Sequence, residues 1–134
     1  MKANKLSVFV GAAALVLSIL ACGGSFSTAN IADAWMSTDA EGSTRTTVYA
    51  QDAVFYAQVD LQNASDDTAL KAVWTAVEAQ DTDPNLIINE TEFTSGDGVI
   101  YFELSNDNLW PLGTYKIDIY LNDVLTKTLN FDVQ

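Results

Sequence analysis

Cys22 is the only thiol in this 134-residue chain, and the sequence contains no histidine. Those two facts settle most of the available chemistry. A Ser-His or Cys-His pair needs an imidazole to take the nucleophile's proton, and many metal sites draw their nitrogen ligands from the same ring. What remains is a set of 18 carboxylates. Among so many, some pair falls at a glycosidase separation by chance, so the number singles out none of them. General acid–base work near neutral pH would also need a strongly shifted carboxyl. No glycine-rich phosphate loop opens a helix, and Ser95-Gly96-Asp97-Gly98 reads as a hairpin turn. The nearest approach to a cation site is Asp81-Thr82-Asp83-Pro84-Asn85, with side-chain oxygens at alternate positions. It lacks the glycine and the distant glutamate of an EF-hand loop and reads first as a solvated turn. The expectation is therefore no enzyme, no cofactor and no metal site.

The position of Cys22 is more telling than its reactivity. Lys2 and Lys5 precede an apolar run from Leu6 to Leu20, and the small Ala21 follows. This is the layout of an export signal, and 15 apolar residues fall short of the ~20 a membrane-spanning helix requires. Ile19-Leu20-Ala21-Cys22 resembles the lipobox of bacterial lipoproteins, with Leu20 bulkier than the small residue usual at its place. The resemblance implies that residues 1–21 are a signal peptide, cut off ahead of Cys22, and that the Cys22 thiol is diacylated. A lone cysteine also rules out a disulfide within the chain.

Behind this leader all 18 acidic residues face only Arg45, Lys71, Lys116 and Lys127, a net charge of −14. Such a surface repels nucleic acid and anionic headgroups, and it keeps an exported protein soluble. Residues 22–30 form a flexible tether, whose small, polar stretch from Gly23 to Asn30 reaches at most ~25 Å at about 3.3 Å per residue. Residues 31–134 suffice for one domain.

The pattern of that domain has period two. Phe55, Ala57, Val59 and Leu61 alternate with Tyr56, Gln58, Asp60 and Gln62, which predicts a strand with one buried and one wet face. Ile100, Phe102 and Leu104 form a second inward set, and Tyr115, Ile117, Ile119 and Leu121 a third. Leu125, Leu129, Phe131 and Val133 are expected to make a fourth, interrupted by Lys127. The segment 68–80 fits a helical period through Ala69, Ala72, Val73, Ala76 and Val77, but its alternation and Trp74 favour a strand. Asn122-Asp123 marks a tight hairpin.

Leu109-Trp110-Pro111-Leu112-Gly113-Thr114-Tyr115 resembles the tyrosine corner of fibronectin III and related immunoglobulin-like domains. In that motif proline sets the turn, Gly113 can take a positive φ, and the buried tyrosine hydroxyl bonds back to the backbone. The expected fold class is all-β, an antiparallel immunoglobulin-like β-sandwich of seven to eight strands. That order would gather Asp66, Asp67, Asp97 and Asp123 at one end and Asp81, Asp83 and Asp107 at the other, two acidic loop clusters open to weak cation binding. Tyr56, Tyr120, Tyr101 and Val99 fall on polar parities, so a sheet face either carries exposed rings or is covered by extra strands or by the segment with Trp35 and Met36.

Together these readings predict a non-catalytic cell-envelope lipoprotein, exported and held to a bacterial membrane by its N-terminal lipid. Its domain would be a protein-binding or assembly/spacer module. The alternative is a small-ligand or carbohydrate-binding module that uses exposed aromatics on a sheet face. Expected partners are the membrane and an envelope protein or carbohydrate, with no nucleic acid.

Overall fold

A computed structural model describes residues 28–134, and Cys22, the signal peptide and most of the tether lie outside those residues. Eight strands follow in order: β1 (Asn30–Ser37), β2 (Val48–Tyr49), β3 (Phe55–Gln62), β4 (Thr68–Ala79), β5 (Leu86–Ser95), β6 (Gly98–Leu104), β7 (Gly113–Leu121) and β8 (Val124–Val133). They form a three-stranded sheet, β1-β3-β6, and a five-stranded sheet, β2-β8-β7-β4-β5. All pairings are antiparallel except that of β2 with β8, which is parallel over two residues. The ambiguous 68–80 segment is a strand because it lies between β5 and β7, where period two buries Leu70, Ala72, Trp74 and Ala76 on the inner face.

The core lies between the two sheets, and its end nearest the 110–115 turn is aromatic. Phe55 is fully buried and stacks on Trp110 at 4.5 Å between ring centroids, with Phe131 at 4.7 Å and Tyr49 at 5.0 Å edge-on. The tyrosine corner closes this cluster. Tyr115 donates its hydroxyl to the Pro111 carbonyl at 2.5 Å, and Trp110 donates its ring N–H to the Ala53 carbonyl at 2.9 Å. The 110–115 turn is thereby fastened to the loop between β2 and β3. Gly113 has φ 153°, and a Cβ there would lie 2.2 Å from the Glu78 carbonyl oxygen, because β7 passes against the irregularity in β4.

Tyr49 shows how burial couples this core to pH. Its hydroxyl donates to the Ser37 carbonyl at 2.6 Å, and burial pushes the phenol up to about 12 from its ordinary 10.0. The folded state therefore holds this proton more tightly than the unfolded chain, so its contribution is complete below pH 10.0 and disappears as pH rises to about 12. We expect the urea midpoint to fall across that window, and Tyr49→Phe to flatten the decline; a wild-type midpoint flat from pH 10 to 12 would contradict it.

Three residues depart from the sequence pattern. Leu125 is not inward but 52% exposed. A bulge at Thr126 pairs Ile119 with Lys127 and Tyr120 with Leu125, which turns Leu125 to the outer face and leaves Lys127 on the inward parity. Gln58, expected on a wet face, is buried, because residues 38–45 fold over it and their Asp39 and Ala40 carbonyls accept its amide at 3.2 and 3.0 Å. Val73 is also buried, although it faces outward between β5 and β7.

Candidate binding face

The outer face of the three-stranded sheet is built in rows set by register. Ser37, Tyr56 and Glu103 form one row, Trp35, Gln58 and Tyr101 the next, and Asp33, Asp60 and Val99 the third. Tyr56 and Tyr101 meet edge-on across adjacent rows, with centroids 6.0 Å apart and planes at 63°. Tyr101 is 46% and Val99 55% exposed, so this side of the face is open.

Its other side is closed by the 38–45 segment. Trp35 donates its ring N–H to the Gly42 carbonyl at 3.1 Å, and the Arg45 guanidinium lies 4.3 Å over its ring. Gly42, at φ 71°, is the residue that lets this segment sit down: a Cβ would come within 2.8 Å of the Gln58 side chain. Asp39 organises the turn by accepting from the Ser43 hydroxyl and from the Ser43 and Thr44 amides, which draws its carboxyl below the ordinary range. Arg45 bonds Asp33 at 2.9 Å and lowers that carboxyl too.

Electrostatics sets the tone of the open half. The Tyr56 phenol is raised by desolvation and then by the negative charge of Glu103, with Tyr101 and Glu41 adding to it. Two carboxylates thus border the aromatic pair. This arrangement can take an apolar or cationic group against the rings. It offers no activated nucleophile and no oxyanion donor set.

Sequence parity groups Tyr120 with Tyr56, but the structure separates them. Tyr120 belongs to β7 and stands on the outer face of the five-stranded sheet, under the Lys71 ammonium at 4.5 Å. Around it that face is polar: Lys116 pairs with Asp118 at 3.3 Å, and Thr128 donates to Asp118 at 2.6 Å. Trp35 does cover part of the three-stranded face, whereas Met36 turns inward to the core. The covered and exposed alternatives each hold for half of one face.

The acidic loops reach the ends of the sandwich without forming a cage. Asp97 accepts the Ala64 amide at 2.6 Å, and Asp67 accepts the Ser65 hydroxyl at 2.5 Å. Among the described residues no three acidic side chains converge on a point that could hold a metal ion. Asp81, like Asn85, has a positive φ and serves the turn after β4, where the Asn85 amide reaches back to the Val77 carbonyl at 2.9 Å.

This is an immunoglobulin-like β-sandwich by its strand order, its tyrosine corner and its neighbours. No protein-family model and no curated protein matches the sequence. An immunoglobulin-like protein from Pseudomonas aeruginosa superposes with a TM-score of 0.50 at 16% identity, covering 79% of this chain and 96% of that one. The alkylpurine DNA glycosylase AlkC of Pseudomonas fluorescens matches with a TM-score of 0.53 at 8% identity, over 81% of this chain. A β-glucosidase from Listeria innocua matches with a TM-score of 0.51 at 12% identity, over 79% of this chain. The chain spans 31% of the glycosylase and 16% of the β-glucosidase. At these identities the likeness is one of fold, and fold of this kind carries no reaction with it.

Proposed function

We propose that this chain is a non-catalytic lipoprotein of the bacterial cell envelope, exported by residues 1–21, held to a membrane through acylated Cys22, and working as a protein-binding module. The observation that supports binding is the Tyr56–Tyr101 pair, which with Val99 leaves a patch open on the outer face of the three-stranded sheet, beside Asp60 and Glu103. Tyrosines carry much interface area at low entropic cost, and their hydroxyls stay wet. Rings at 63° to each other do not form the coplanar platform on which a sugar stacks, so the geometry favours a protein partner over a carbohydrate.

The test is a photo-cross-linking amino acid placed at Tyr101 in living cells, with the same group at Glu92 on the opposite sheet as control. One discrete adduct from position 101, absent from position 92 and lost when Cys22→Ser frees the protein from the membrane fraction, is the expected result. Equal or absent adducts from the two positions would overturn the binding face. A Cys22→Ser protein that stays with the membrane would overturn the anchor. Competition of the adduct by soluble glycans would shift the reading to carbohydrate.

A further inference from the structure

We propose that the seam between β1 and β8 is a second binding site, distinct from the aromatic face, which takes an extended acidic peptide segment as an added strand. β8 has ten residues, yet β2 pairs only with Asp132 and Val133. There the Asp132 and Gln134 amides donate to the Thr47 and Tyr49 carbonyls at 2.8 and 3.0 Å. Backbone groups repeat every second residue along a strand edge, so Asn130 and Thr128 turn their N–H and C=O groups to the same side. Among the described residues no strand is hydrogen-bonded to them, and β1 of the other sheet approaches β8 without pairing.

β1, the edge strand of the other sheet, forms the opposite wall. Two clefts of about 440 and 500 Å³ run along the gap. Met36 and Leu129 line the first, and Ile31, Leu121 and Val124 the second, with Val124 65% exposed. An added strand would send alternate side chains toward these apolar walls while its backbone meets the free groups of β8.

Charge selects what the strand carries. Arg45, ion-paired with Asp33 at 2.9 Å, and Lys127, two of the four basic residues after Cys22, border the clefts. The other two stand on the outer face of the five-stranded sheet, Lys116 paired with Asp118 and Lys71 in register with Glu92. In a domain of net charge −14 the seam is where an anionic segment is least repelled. A second copy of the chain fits poorly. The bulge at Thr126 breaks the edge, and Lys127 on the inward parity would bring two lysines together; both features oppose pairing of like edges. An acidic side chain at the same place turns Lys127 into half of an ion pair.

The test is a selection from random decapeptides displayed on phage, run on the full-length protein in detergent. We expect enriched sequences that alternate apolar and polar residues and contain Asp or Glu, and that protect the Thr128 and Asn130 amides from hydrogen exchange. Asn130→Pro removes one of the free N–H groups at an edge that tolerates proline, and it should weaken the selected peptides at least tenfold. Lys127→Glu should shift the enrichment to Lys and Arg. A selection without enrichment, protection confined to β5 or β6, or equal binding to Asn130→Pro would overturn the site. Should that variant fail to fold, unchanged affinity of the acidic peptides for Lys127→Glu overturns it instead.

Discussion

Replacing Phe55 by alanine is expected to cost the domain about 3–5 kcal/mol, the range for deleting a fully buried aromatic ring. Phe55 is the one ring in contact with all of Tyr49, Trp74, Trp110, Tyr115 and Phe131, at centroid distances from 4.5 to 6.1 Å. Its neighbours come from β2, β4, β7, β8 and the 110–115 turn, and they cannot collapse into the void together because Tyr49, Trp110 and Tyr115 are each held by a hydrogen bond. The loss is a large share of the ~5–15 kcal/mol that holds a domain of this size folded. Urea denaturation is the measurement, with Phe55→Leu as the volume-sparing control. A Phe55→Ala midpoint within error of Phe55→Leu would show that the cluster has no centre there.

Gly113→Ala is expected to be nearly as damaging, about 3 kcal/mol or a melting point lower by roughly 15 °C, for a different reason. The methyl group would be driven into main chain: 2.2 Å from the Glu78 oxygen and 2.6 Å from the Ala79 Cα. No rotamer relieves that contact, and φ 153° is itself costly for any residue with a Cβ. Relief requires β7 to move off β4, which breaks the register at the corner. If thermal unfolding of Gly113→Ala matched wild type, the close approach of these two strands would be wrong.

The corner was legible because every part of it is local. Pro111, Gly113 and Tyr115 are close in sequence, and each type has one physical job in the turn. The inner faces of β3, β6 and β7 were legible for a similar reason, since unbroken alternation states which side is buried. β8 was read correctly only from Lys127 onward. A bulge is a backbone event without a side-chain signature, so nothing in Leu125-Thr126-Lys127 announces that parity changes there. Gln58 was misread because its cover arrives from residues 38–45, far away in the chain. The aromatic face was half legible: parity places Tyr56, Tyr101 and Tyr120 on outer surfaces, but it does not say which sheet each strand joins. The seam beside β8 had no sequence signal, because it is defined by a strand, β2, that is too short to cover it.

The entry point of the chain also fixes an orientation. Thr28 bonds the Asn63 carbonyl at 3.1 Å, so the polypeptide arrives at the pole formed by the 63–67, 95–98 and 122–123 loops. On the anchoring proposed above, Asp66, Asp67, Asp97 and Asp123 then look down on the headgroups, and an anionic leaflet pushes them away. That repulsion opposes contact between this pole and the surface. Tyr56 sits six residues along β3 from Gln62, so it stands ~20 Å above that pole at about 3.3 Å per residue. On the proposed anchoring, a protein that meets it at this pole-down orientation must reach that height, which would select partners projecting from the bilayer over those embedded in it.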